Sequence, residues 1–311
     1  MKHVIIDETT GNPFPHQISI YTGMDALIQG ASHVSPEGFY HNDKAIADVT
    51  GQLARQLGLR SGQKTLDVGY DKNLVVSQTF AQMGMLAYGL DSQDGLNKEK
   101  YSDPCIVMPY FTSDENGMKK YCGTVEDLHE EGSELRDELF DLIIFWGSWD
   151  AAGYNFAVGG EMGWFRAVKE LELKYGKDFN PHKNTEVEEA LEANRRKTFE
   201  NCRKSLRKGG GILIVSSRYA FHGGGYITDQ LADEKQSYLK TARYAADMGA
   251  SELWFFGLSK KATDDALRSY PEFDQVRRKL IDDDVLFENV DAVHQYRGVP
   301  IGRIDGVYSH F

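Results

Sequence analysis

The residues best suited to chemistry lie in Asp67-Val-Gly69-Tyr-Asp71-Lys-Asn73 and, 22 positions after Gly69, at Asp91. Asp91 can accept hydrogen bonds from both hydroxyls of a ribose. In a doubly wound sheet, an acid at the end of the second strand is where an adenosine ribose lies. The surrounding order reads strand from Lys64, glycine-bearing turn, helix to Gly84, then a strand over Met85 to Asp91. Of the three closely spaced glycines that such a turn often carries, only Gly69 is here.

The charge of this turn selects among adenosine-containing ligands. A dinucleotide brings a pyrophosphate that needs bare backbone and the positive end of a helix, and Asp71 would put a carboxylate in its path. S-adenosylmethionine has no phosphate and carries a sulfonium cation, for which a carboxylate or an aromatic face is neutral to favourable. Asp71 and Asn73 are mild replacements for glycine, because Asp and Asn visit positive φ more readily than other side chains. Asn73 also suits the N-cap of the helix that follows. The alternative is that Asp67-Val-Gly69 is no more than a strand end of any α/β protein, with no ligand.

Length and composition narrow the partners. The chain has 311 residues, enough for one large domain with additions, and its 41% apolar and 26% charged residues are those of a soluble globular protein. A formal charge of −12 argues against a nucleic-acid backbone as partner, since phosphate binding needs clustered Lys and Arg. A small molecule is the expected partner, with a homodimer left open. Cys105, Cys122 and Cys202 are scattered and odd in number, which suits reduced thiols and a cytoplasmic location. No secretory signal and no 18-residue apolar run is found, so neither export nor a membrane is expected. No set of His and carboxylates has metal-ligand spacing.

Several elements must position these residues. His3 to Asp7 and Gln17 to Tyr21 read as short strands, open to being a hairpin or lid, in an N-terminal extension over 1–42. A helix is expected from Asp43 to about Leu57, with Ala45, Val49, Leu53 and Leu57 on one face. Lys120 to Leu128 reads as strand and turn, and Phe140-Asp-Leu-Ile-Ile-Phe-Trp146 as a strand covered on both faces. Trp164, Val168, Leu171 and Tyr175 share a helical face. The next helix is expected over Glu186 to Lys208, with Thr185 and Glu188 as a capping box and Gly209 as its stop. Gly210 to Ser216 and Glu252 to Leu258 are further strands, a helix precedes Gly249, and Val299 to Tyr308 makes a last strand or hairpin. Strands alternating with long helices predict a doubly wound, mostly parallel seven-stranded sheet with helices on both faces, over 43–311, with an insertion at about 147–185.

Leu66-Asp-Val-Gly69, Gly89-Leu-Asp91, Cys122-Gly-Thr-Val-Glu-Asp-Leu128, Phe140-Asp-Leu-Ile-Ile144 and Leu206-Arg-Lys-Gly-Gly-Gly-Ile-Leu-Ile214 together resemble the class I S-adenosylmethionine-dependent methyltransferases over roughly 43–260. The resemblance implies a Rossmann-like methyltransferase fold and S-adenosylmethionine as cofactor. It implies the methionine part near Asp67, Gly69 and Asp71, the ribose on Asp91, and the adenine near Thr124 and Val125. Thr124 stands where many members have an Asp, with Glu126 as a substitute. Trp146 is counted with the cofactor positions, though packing in the core is an equal alternative.

Catalysis in such a family is mainly alignment of the acceptor with the methyl group, with a base needed only for an unactivated nucleophile. The segment after the fourth strand offers Ser148, Trp149, Asp150, Tyr154 and Asn155 as candidates beyond the carboxyl ends of the strands. Trp149 reads equally as core packing, and Asp150 has a helix cap as its alternative. His222, in a glycine-rich loop after the fifth strand, is the candidate base, with a solvated loop residue as its alternative. His33, Tyr40 and His41 are read as structural. The expected activity is methylation of a small molecule. A non-methylating use of the same cofactor (cyclisation, lyase or aminopropyl transfer) and a non-catalytic binding or partner role are the alternatives.

Overall fold

A computed structural model describes residues 6–7, 12–13, 19–24, 43–69, 75–91, 118–146, 148–149, 171–176, 184–215, 240–256 and 306–311. In chain order the elements are β1 (Ile6–Asp7), β2 (Asn12–Pro13), β3 (Ser19–Met24), α1 (Asp43–Gln56), β4 (Lys64–Val68), α2 (Val75–Gln82) and β5 (Leu86–Asp91). There follow β6 (Lys119–Cys122), a 3-10 turn (Val125–His129), β7 (Phe140–Trp146), α3 (Thr185–Lys204), β8 (Leu206–Val215), β9 (Glu252–Phe256) and β10 (Gly306–His310). The chain divides into two compact units, Gly58–Ile214 and the combination of Met1–Leu57 with Val215–Phe311.

In the Gly58–Ile214 unit the strand order is β8, β7, β4, β5, β6. The chain starts in the middle at β4, moves outward through β5 and β6, then returns to the other side of β4 for β7 and β8. This is the doubly wound, Rossmann-like order predicted from the alternation of strands and helices. β4 pairs in parallel with both β5 and β7, and β5 with β6. Parallel strands need both faces covered, which explains the unbroken apolar run of β7: Leu142, Ile143, Ile144 and Phe145 are all buried. Leu66, Phe80, Tyr88, Leu90, Phe199 and Ile212 join them in the core.

α2 places Val76, Ser77, Thr79 and Phe80 inward and ends at Gly84, whose φ of +82° lets the Met85 N–H reach back to Phe80 O at 3.0 Å. The chain then turns directly into β5.

α3 starts and stops earlier than its charge pattern predicts. Asn184, not Thr185, is the N-cap, its Oδ1 accepting from Val187 N–H, and Ser205 closes the helix after Lys204. Arg207 and Lys208 therefore lie in β8, and Gly209 is not the helix stop. The physical reason is pairing at the start of the strands. Ser205 O accepts from Phe140 N–H at 2.8 Å, and Arg207 Nη1 stands 3.3 Å from Asp141 Oδ2. Its inward stripe of Val187, Leu191, Arg195, Phe199 and Cys202 keeps helical spacing, and Leu171 with Tyr175 packs on Val187 and Leu191.

In the other unit, β3 runs parallel to β9, and β9 is antiparallel to β10. β1 pairs antiparallel with β2. The strand after Gln17 thus pairs with β9 instead of forming a hairpin with the first strand. Leu53 and Ala54 of α1, Ala242, Tyr244, Leu253 and Val307 form buried core here. Among the described residues no helix is long and apolar enough to cross a membrane, and no three His, Cys, Asp or Glu side chains cluster to hold a metal.

Candidate functional site

The register of the parallel strands brings the predicted cofactor positions to one edge. Val68 lies beside Leu90 on one flank and Phe145 on the other, and Asp91 lies beside Cys122. Gly69, Asp91, Gly123-Thr124 and Trp146 therefore leave the sheet together at its carboxyl edge. The winding direction reverses between β4 and β7, and in open α/β sheets the crevice at such a reversal is where ligands bind.

Backbone bonds hold this edge. Gly69 N–H donates to Leu90 O at 2.7 Å and Gly123 N–H to Asp91 O at 2.8 Å. Gly69 has a φ of +76°, a left-handed conformation that costs other residues roughly 1–2 kcal/mol. A Cβ on Gly69 would also stand 2.9 Å from Ser148 Oγ and closer still to Ser148 Cβ. Sterics and backbone angle both require glycine here. Ser148 Oγ donates to Val68 O, joining the end of β4 to the residues just after β7.

Asp67 is buried at 3% exposure and turned toward α2. Its Oδ2 accepts from Ser77 Oγ at 2.9 Å, and the Ser77 N–H, one of the unpaired amides at the start of a helix, also points to it. Burial pushes its carboxyl up to about 7, opposed by the two Ser77 bonds. Asp67 thus secures the strand, turn and helix from within. Sequence reasoning missed Ser77, because a hydroxyl ten residues beyond an acid has no recognisable spacing.

The remaining predicted positions divide by environment. Asp91, Thr124 and Trp146 are half-buried at the edge, Val125 is buried, and Glu126 belongs to the 3-10 turn beside it. Trp149, a candidate for substrate alignment, is 2% exposed. Its ring meets Phe145 and Phe199 edge-on, with centroids 5.0 and 6.1 Å away, so it is a packing residue in this structure. Asp71, Asn73, Asp150, Tyr154, Asn155, His222, His33, Tyr40 and His41 lie outside the described residues. Of the predicted cofactor positions, the structure brings Gly69, Asp91, Thr124 and Trp146 to one edge of the sheet.

No family model matches the sequence, and no curated protein is similar to it. Solved structures are. An S-adenosylmethionine-dependent methyltransferase from Geobacter sulfurreducens, in complex with S-adenosyl-L-homocysteine, is 14% identical with a TM-score of 0.37, over 93% of this chain and 98% of that one. A phosphoethanolamine N-methyltransferase 2 from Haemonchus contortus is 12% identical with a TM-score of 0.38, over 84% of this chain and 51% of that one. A sarcosine dimethylglycine methyltransferase, so described for Galdieria sulphuraria, is 12% identical with a TM-score of 0.36, over 86% and 84%. The chain spans about half the length of several structures it matches. These likenesses are distant, and the fold stands on the strand order and register of the chain itself: a doubly wound, mostly parallel Rossmann-like sheet.

Proposed function

We propose that this chain binds S-adenosylmethionine at the carboxyl edge of β4, β5 and β6 and directs its methyl group to a small-molecule acceptor. The observation that carries the reading is the joint placement of Gly69 and Asp91 on adjacent parallel strands beside the winding reversal. The donor set fits the cofactor. Gly69 and Asp91 stand at the ends of adjacent parallel strands, and Asp91 is half-buried where a ribose would lie, as is Thr124 where the adenine would lie.

When bound, the cofactor supplies an electrophilic methyl group on a sulfonium. The chain's own part is to fix the adenosyl end and to exclude water, which favours in-line attack by an aligned acceptor. In this reading Asp150, Tyr154 and His222 belong to the acceptor side, and His222 serves as base if the acceptor needs one. The net charge of −12 supports a small molecule over a nucleic acid.

Titration calorimetry with S-adenosylmethionine, S-adenosylhomocysteine and NAD tests the reading. Binding of the first two and not of NAD is expected. Asp91→Ala should weaken both by at least tenfold while the protein stays folded, since a hydrogen bond to a charged group contributes about 1.5–3 kcal/mol. Binding of NAD alone, or an unchanged dissociation constant in the variant, would overturn it.

A further inference from the structure

β4 pairs along its backbone with both β5 and β7, and at its last peptide the two flanks are closed by different chemistry. Toward β5 the closure is backbone, Gly69 N–H to Leu90 O at 2.7 Å. Toward β7 a single side chain reaches across, Ser148 donating its hydroxyl to Val68 O, the last carbonyl of the strand. The same side chain fills the space that a side chain at Gly69 would need. Ser148 is half-buried, while the next residue, Trp149, is anchored in the core against Phe145 and Phe199. A rigid anchor behind a short hydroxyl is a means of holding the turn at Gly69 in one place.

We infer that Ser148 is a positioning residue: it sets the closure of β4 against β7 at the winding reversal, and so governs affinity for the part of the ligand that lies beyond the adenosine. The ligand part rests on the cofactor reading above, whereas the geometry does not depend on it. Adenosine would lie toward Asp91, on the flank that backbone bonds hold. The aminoacyl portion would lie toward Gly69, on the flank that Ser148 holds. Loss of the hydroxyl should therefore separate the two affinities.

Ser148→Ala removes the hydroxyl and keeps Cβ. In the ligand-free chain, amide exchange at Gly69 should quicken at least fivefold, with exchange at Gly123 unchanged. S-adenosylhomocysteine should bind five- to tenfold more weakly, as loss of one hydrogen bond implies, and adenosine within twofold of the parent. Ser148→Cys, which keeps a weaker donor, should fall between, and it supplies the measurement if the alanine variant does not fold. Unchanged exchange at Gly69 overturns the inference whatever the ligands do. Equal losses for both ligands overturn the assignment to the aminoacyl portion. A parent chain that binds neither ligand refutes the cofactor reading, and the exchange result still decides the role of Ser148.

Discussion

The two edges of the same parallel strands are built differently. At the amino edge, charged side chains neutralise one another. Asp141 Oδ2 accepts from Lys64 N–H at 2.7 Å and faces Arg207 Nη1, while Lys64 Nζ pairs with Glu138. That pairing is also the first cause of the raised Lys64 pKa. At the carboxyl edge the amides of Gly69 and Gly123 and the hydroxyl of Ser148 tie the strand ends. Its carboxylates are Asp67, locked onto the start of α2, and Asp91, half-buried at the end of β5. The contrast teaches where function can reside. At the amino edge Lys64, Glu138, Asp141 and Arg207 already pair with one another, and the cofactor reading therefore assigns the ligand to the carboxyl edge.

The largest expected effect is at Gly69. Gly69→Ala combines the strain of a φ of +76° with overlap on Ser148, together several kcal/mol. It should lower stability in urea and weaken adenosyl binding by at least tenfold. Adding Ser148→Gly removes both close contacts and leaves Ser148 Cα at 3.8 Å, so the double variant should regain the overlap part while the backbone strain persists. A Gly69→Ala protein as stable as the parent would break the comparison at its carboxyl edge.

The next effect is at Asp67 and depends on pH. Its pKa is about 7 in the folded chain against 3.8 for the free side chain, so the folded state holds the proton more tightly. Stability from this group is therefore fully present below pH 3.8, is lost as pH rises through about 7, and stays low above that. The slope is at most about 1.4 kcal/mol per pH unit. Asp67→Asn, which still accepts from Ser77, should gain on the parent over that range, by a few kcal/mol in total. Urea midpoints at pH 4.5 and 8 measure this, and a gain confined to the lower pH would contradict it.

The smallest effect tests the amino edge. Asp141→Ala leaves Lys64 N–H and Arg207 without their acceptor and should cost about 1–2 kcal/mol of stability. Adenosyl affinity should remain within twofold. A tenfold loss of binding in this variant would mean that the two edges are not separate in function.

Much of the site was legible because it depends on local order. Asp67, Gly69 and Asp91 sit on one strand, turn, helix and strand, and parallel pairing of β4 with β5 follows once a helix intervenes. The end of α3 was misread because basic residues and glycines after Lys204 look the same whether they close a helix or open a strand. The bond from Ser205 to Phe140 decided between them. Trp149 was equally open in sequence to substrate contact or packing, and two neighbours, one of them fifty residues distant, made it a packing residue.

By itself the sequence determined the alternation of strands and helices, the buried character of β7, and the placement of an acid and a glycine at successive strand ends. These follow from hydrophobic period and turn chemistry, which act over a few residues. Tertiary structure decided the partner of β3, the turning of Asp67 toward Ser77, and the meeting of Gly69 with Ser148 across 79 positions. Such contacts arise when strands distant in sequence are brought side by side, and no local pattern encodes which hydroxyl will face which carbonyl.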